Sequence, residues 1–153
     1  MYLEWSIKLS LLLYVTSSPG GAVRVDGVTS QNGQFRFPLV SAASAAAEYA
    51  TTGSVSLFAH YGMPITSLES LRAYRSAAGS WLLATSPGGQ AVDAFALSAP
   101  REDGGDIVFE QVTLTPAGAQ LFGGYYAVGE VFDPITVHRS APLGVSGVNA
   151  GGR

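Results

Sequence analysis

Gly53-Ser54-Val55-Ser56-Leu57-Phe58-Ala59-His60 decides the fold class. Up to Phe58 the stretch alternates, which predicts Val55 and Leu57 inward and Ser54 and Ser56 outward, the period of two of a half-buried strand. The same pattern recurs on both sides. Ala22-Val23-Arg24-Val25-Asp26 alternates and meets Gly27, and Gln34-Phe35-Arg36-Phe37-Pro38-Leu39 alternates with its aromatics on one face. Further strands are predicted over Leu68 to Tyr74, Ser80 to Ala84, Ala91 to Leu97, Asp106 to Leu114 and Val131 to His138. Turn residues separate them at short intervals, as in an antiparallel sandwich or a barrel-like domain. The fold class is therefore mainly β.

Helices are few. Leu3, Ile7, Leu11 and Tyr14 fall at spacings of four, four and three, which predicts one apolar face of a helix over Tyr2 to Val15. Ser10 and Tyr14 share a side of that helix. Ser17-Ser18-Pro19-Gly20-Gly21 stops it. Thr115-Pro116-Ala117-Gly118-Ala119-Gln120-Leu121-Phe122 has a cap residue followed by Pro at the first helical position, then Gly123-Gly124 before Tyr125-Tyr126. Ser41 to Tyr49 is alanine-rich, short, and read as part of a loop. One domain is expected over residues 1–140, with a Gly-, Ser- and Ala-rich flexible tail over 141–153.

Composition narrows the function. Of the 153 residues 47% are hydrophobic and only 12% charged, which argues for a packed core and a weakly charged surface that suits apolar partners. A net charge of −3 with eight scattered Lys and Arg residues leaves no basic stripe, so nucleic acid is not an expected partner. The absence of cysteine excludes disulfides, thiolate metal sites and cysteine nucleophiles. Glu4 stands where a signal peptide carries positive charge, and the apolar run Leu9 to Val15 is of minimal length. The expectation is a segment retained in the fold, no membrane span, and a cytoplasmic location for the sequence as it stands.

Chemistry-bearing residues are sparse. His60 and His138 are the only two histidines, so a three-histidine metal site is impossible. No Gly-x-Ser-x-Gly elbow or phosphate-cradling glycine spacing is present. Glu102, Asp103 and Asp106 surround Gly104-Gly105 and read as a solvated hairpin tip without EF-hand spacing. Taken by spacing alone, Tyr14 is a core tyrosine on a helix face.

A family resemblance goes further. Leu3-Glu4-Trp5-Ser6-Ile7-Lys8-Leu9-Ser10-Leu11-Leu12-Leu13-Tyr14-Val15 resembles the first motif of HtaA domains, in which Trp, Lys, Ser and Tyr recur at these spacings. Gly20-Gly21-Ala22-Val23, Phe35-Arg36-Phe37-Pro38 and Gly53 to Gly62 then follow in the family's order. Leu114-Thr115-Pro116-Ala117-Gly118, Phe122, Tyr126, Gly129 and Asp133-Pro134 resemble its C-terminal signature. Each motif is weak alone; together, over about residues 3 to 138, they are fairly specific.

The resemblance implies β-sheets with short helices, and a secreted or surface-anchored haem carrier of actinobacteria. It implies ferric haem (Fe³⁺ protoporphyrin IX) ligated by Tyr14, His60 hydrogen-bonded to that tyrosine, Ser10 at a propionate, and Phe122 packed on the porphyrin, with Tyr125 or Tyr126 as alternatives. Leu11 and Leu12 would line the apolar site. Leu11-Leu12-Leu13 also stands where the family often carries a basic residue, removing a partner for the propionates. Three readings follow: a haem module for uptake, transfer or storage, exchanging haem with another carrier protein; a stand-alone enzyme acting on an apolar metabolite, haem-dependent or cofactor-free, with His60 as acid–base group and Tyr14 beside it; and an interaction domain whose haem site has lapsed.

Overall fold

The structure, a computed structural model, describes residues 1–41 and 48–139. The chain opens with β1 (Tyr2–Trp5), α1 (Leu9–Ser17), β2 (Ala22–Asp26), β3 (Thr29–Gln31), β4 (Gln34–Ser41), β5 (Glu48–Thr51), β6 (Ser54–Ala59) and β7 (Met63–Glu69). It continues with β8 (Arg72–Arg75), β9 (Trp81–Thr85), β10 (Val92–Leu97), β11 (Arg101–Asp103), β12 (Asp106–Phe109), β13 (Val112–Leu114), α2 (Pro116–Leu121), β14 (Val131–Phe132) and β15 (Ile135–His138). Twelve strands form one sheet in the order β11-β12-β15-β1-β4-β5-β8-β9-β10-β13-β14, with β3 paired to β4. A second sheet is β2-β6-β7. The mainly β, antiparallel class is as expected.

The first fifteen residues differ from expectation. The predicted helix over Tyr2 to Val15 is a strand followed by a shorter helix. In β1, Leu3 and Trp5 are buried while Tyr2 and Glu4 are only partly so, the alternation of a strand. β1 pairs with β15 (Leu3↔Val137) on one side and β4 (Leu3↔Phe37) on the other, and so lies inside the large sheet. The four-residue spacing of Leu3, Ile7 and Leu11 is real, but three different local structures share it. Ile7 itself has φ 63, a costly conformation for a β-branched residue, and it turns the chain from strand to helix.

Other boundaries shift for similar reasons. Leu68 to Tyr74 is broken at Ser70, whose φ of 52 ends β7 before β8. Asp106 to Leu114 divides into β12 and β13, and Val131 to His138 into β14 and β15. Tyr49, read as loop, lies in β5, where it pairs with Ala73. The alanine run at 42–47 and the tail at 141–153 lie outside the described residues.

The core is aromatic. Trp5, Phe95, Phe109, Phe122 and Phe132 are fully buried. Trp5 meets Phe95 edge-on at 5.2 Å, and Phe95 meets Phe132 at 5.0 Å, the geometry that ring quadrupoles favour. α2 lies on β10 because Gly118 has no side chain there: an added Cβ would stand 2.1 Å from the Ala94 carbonyl oxygen. Its start is capped as expected, with Thr115 Oγ1 accepting from the Gly118 N–H at 3.0 Å.

Candidate functional site

The site begins with the way α1 is held. Lys8, at its N-cap, makes no side-chain cap. Asp133, from the other end of the chain, supplies it: its Oδ2 accepts from the Leu9 N–H at 2.9 Å and from Ser6 Oγ at 2.6 Å. A carboxylate there meets unpaired N–H groups and the positive end of the helix dipole. Trp5 Nε1 also donates to the Asp133 carbonyl at 2.8 Å, locking the helix start to the core.

α1 packs against β2 and β6. Leu11, Leu12 and Val15 are buried, so of the three consecutive leucines only Leu13 is exposed. Leu11 and Leu12, expected along the site, lie on the buried face of the helix, where Leu12 with Leu9 and Leu13 also lines an apolar groove. Tyr14 sits beyond the edge of that face, 38% exposed, with the exposed Ser10 one turn before it. It is not a core tyrosine.

β6 runs alongside and ends at Ala59, delivering His60 to the turn that follows. The turn is strained. His60, Tyr61 and Gly62 have φ of 46, 63 and 86, and non-glycine residues held in this region each cost about 1–3 kcal/mol. The consequence is a contact between elements 46 residues apart: the Tyr14 hydroxyl and His60 Nε2 share a hydrogen bond, with ring centroids 5.6 Å apart and nearly perpendicular. Desolvation, and then the charge and hydroxyl of Tyr125, hold the Tyr14 phenol above the ordinary tyrosine value.

Tyr125 acts on Tyr14 in this way, and Tyr14 in turn raises the Tyr126 phenol after burial and Glu130. Phe122, the first choice from sequence, is 0% exposed and packed among Phe95, Phe132 and Tyr126, so it presents no face to a ligand. Tyr126 is half-buried, its ring edge-on to Phe132 at 5.5 Å. Gly123 and Gly124, at φ 63 and 81, turn the chain outward after Phe122, and Tyr125 emerges 53% exposed. The family resemblance gave Tyr125 and Tyr126 as alternatives to Phe122, and nothing in the sequence separated the three.

His138 belongs to a separate constellation. Its Nε2 lies 2.9 Å from Glu4 Oε1 and its Nδ1 3.0 Å from Asp106 Oδ2, joining β1, β15 and β12. Asp106 is therefore not only part of a solvated hairpin tip.

The comparisons with known proteins bear on this geometry. The family model described as Htaa matches residues 1–138. The chain belongs to the HtaA family. Among solved structures, the N-terminal domain of HtaA from Corynebacterium glutamicum is similar at 21% identity and TM-score 0.65, covering 92% of this chain and 97% of that one. The C-terminal domain of the same protein gives 22% identity and TM-score 0.64, covering 88% and 92%. The haem-binding protein HtaB from that organism gives 17% identity and TM-score 0.62, covering 90% of each chain. At these identities the likeness establishes a shared fold. No curated protein matches the chain.

Proposed function

We propose that this HtaA-family chain binds ferric haem, with Tyr14 as the iron ligand, His60 hydrogen-bonded to that ligand, Tyr125 against the porphyrin and Ser10 within reach of a propionate. The observation that carries the reading is the hydrogen bond between the hydroxyl of the exposed residue Tyr14 and the His60 imidazole. A phenolate is a hard anionic donor that favours Fe³⁺, and a neighbouring imidazole orients it and tunes its donation.

The residues present fit a chelated iron better than a bare ion. Among the described residues no three His, Asp or Glu side chains are grouped to hold a metal. Tyr14 and His60 alone are too few for an ion that must find four or more donors from protein, whereas iron already held by four pyrrole nitrogens needs only one. The surroundings fit the macrocycle too. Leu13, next to Tyr14 in the chain, and Tyr61 and Met63, one and three residues after His60, are exposed apolar or aromatic side chains of the kind a flat apolar disc would meet. When bound, haem would supply the iron that the phenolate ligates. The protein's part is to present the oxygen, hold its orientation and accept or release its proton.

An open site on one edge of a domain suits capture, holding and hand-over to another carrier. Family membership and the haem-binding HtaB neighbour support that role. Titration of the apo protein with ferric haem tests it: a saturable one-to-one spectrum of high-spin ferric type is expected, and Tyr14→Ala should not give it. No spectral change in the native chain would sink the proposal.

A further inference from the structure

The segment Ser18-Pro19-Gly20-Gly21, between α1 and β2, is tied at both ends. The Ser18 N–H donates to the Tyr14 carbonyl at 3.0 Å and the Ser18 hydroxyl to the same oxygen at 2.9 Å, closing the helix. The Gly21 N–H donates to the Ser18 carbonyl at 3.0 Å, and β2 then pairs with β6 from Ala22↔Phe58 onward. Carried three residues further, that register brings Pro19 opposite Tyr61, and there the Tyr61 N–H donates to the Pro19 carbonyl at 2.7 Å. Tyr61 adjoins His60, whose imidazole returns to the Tyr14 hydroxyl. The path from the Tyr14 carbonyl to the Tyr14 side chain is a closed circuit.

Gly20 is its tightest point. A Cβ there would stand 2.5 Å from the Tyr61 Cα and 2.7 Å from the Tyr61 N, and φ is +71. Both neighbours are backbone atoms, so no side chain can swing aside. The turn it meets is the run of three left-handed residues, which persists only where surrounding structure imposes it.

We infer that Gly20 is a positioning residue for the ligand site: its bare Cα seats the His60–Gly62 turn on the end of α1 and so sets the His60 imidazole against the Tyr14 hydroxyl. The geometric part stands on the apo protein, and its effect on haem rests on the reading proposed above. A glycine needed only to end α1 would leave the imidazole in place when replaced at low cost. Gly104, at φ +59 in the β11–β12 hairpin with nothing within 4 Å of an added Cβ, supplies the control for backbone strain alone.

The experiment compares Gly20→Ala with Gly104→Ala in the full chain. In the apo protein, ring-nitrogen NMR of His60 should lose the hydrogen-bonded Nε2 signature in Gly20→Ala and keep it in Gly104→Ala. With ferric haem, Gly20→Ala should speed haem loss by about 10-fold, the lower range for displacing a ligand's partner. In a His60→Ala background the same change should have less than about a twofold effect, because coupled residues are not additive. Unchanged His60 ring signals, or a full effect without His60, would overturn the inference. Should Gly20→Ala not fold, Pro19→Gly keeps the acceptor carbonyl, adds no atom, loosens the same clamp and is expected to move both readouts the same way; no movement overturns the inference equally. If the native chain binds no haem, the haem reading fails by itself while the ring-nitrogen comparison still decides this one.

Discussion

Tyr14 and His60 are joined by a hydrogen bond between a helix and the strained turn that follows β6. Neither residue is at a standard protein surface position: one stands off a buried helix face, the other in left-handed backbone. Tyr14→Ala is expected to abolish the high-spin ferric haem spectrum. His60→Ala should retain haem but release it about 10- to 100-fold faster, as loss of a ligand's hydrogen-bond partner typically does. Stopped-flow transfer to an excess of a haem-scavenging apo globin reads both. Haem kept by Tyr14→Phe but lost by His60→Ala would exchange the two roles.

Much of this arrangement was legible in the chain. β2 has the bounds that alternation predicted, and β6 needed only its flanking residues trimmed. The Thr115-Pro116 cap was legible as well, because capping is local chemistry. The start of α1 was not, since its cap is Asp133, 124 residues from Leu9. Leu3, Trp5, Ile7 and Leu11 satisfy periods of two and four at once, and pairing with β15 and β4 chooses the strand. Phe122 and Tyr125 were inseparable for another reason. Both are aromatic residues near one motif, and only packing sends the first into the core.

That separation has its own test. Phe122→Ala should cost about 3–5 kcal/mol of stability through the lost contacts and the cavity left behind. Tyr125→Ala, at an exposed position, should change stability by no more than about 0.5 kcal/mol yet weaken haem binding. Urea unfolding of the apo proteins and haem titration of the same samples give the two numbers. A Tyr125→Ala protein with native haem affinity would remove Tyr125 from the site.

Haem affinity should fall on acidification. Desolvation first, and Tyr125 second, hold the Tyr14 phenol above its ordinary value, so the free site keeps its proton across the physiological range. In the proposed complex iron would be held by the phenolate, so binding would displace that proton. The sign follows: the proton is bound in the free state and absent in the complex, so affinity rises with pH by up to about tenfold per unit. Tyr125→Phe removes the hydroxyl that contributes to the raised value and should shift the curve toward lower pH. Affinities measured across neutral pH that are flat for both proteins would contradict displacement of a proton at Tyr14.

The last expectation concerns the fold away from this site. Glu4 lies between His138, at 2.9 Å from its Oε1, and Arg36, whose Nε is 3.2 Å from its Oε2; Asp106 takes the other ring nitrogen of His138. These contacts tie β12, β15, β1 and β4 across adjacent strands of the large sheet. Burial pushes the Glu4 carboxyl up, but hydrogen bonds from His138 and Arg36, with their charges, outweigh it and the carboxyl titrates below its ordinary value. A depressed value means that the folded state prefers the carboxylate. Its contribution is complete above the ordinary glutamate range of about 4.3 and is lost as pH falls through the lower folded value. Glu4→Gln should therefore be less stable by about 1 kcal/mol at neutral pH, the usual scale for a partly exposed pair with charged hydrogen bonds. Below about pH 4 the native protein should lose that advantage, so that the two stability curves converge. Urea midpoints of the apo proteins between neutral and strongly acidic pH would show it, and parallel curves for the two would mean that Glu4 does not link acid to the sheet.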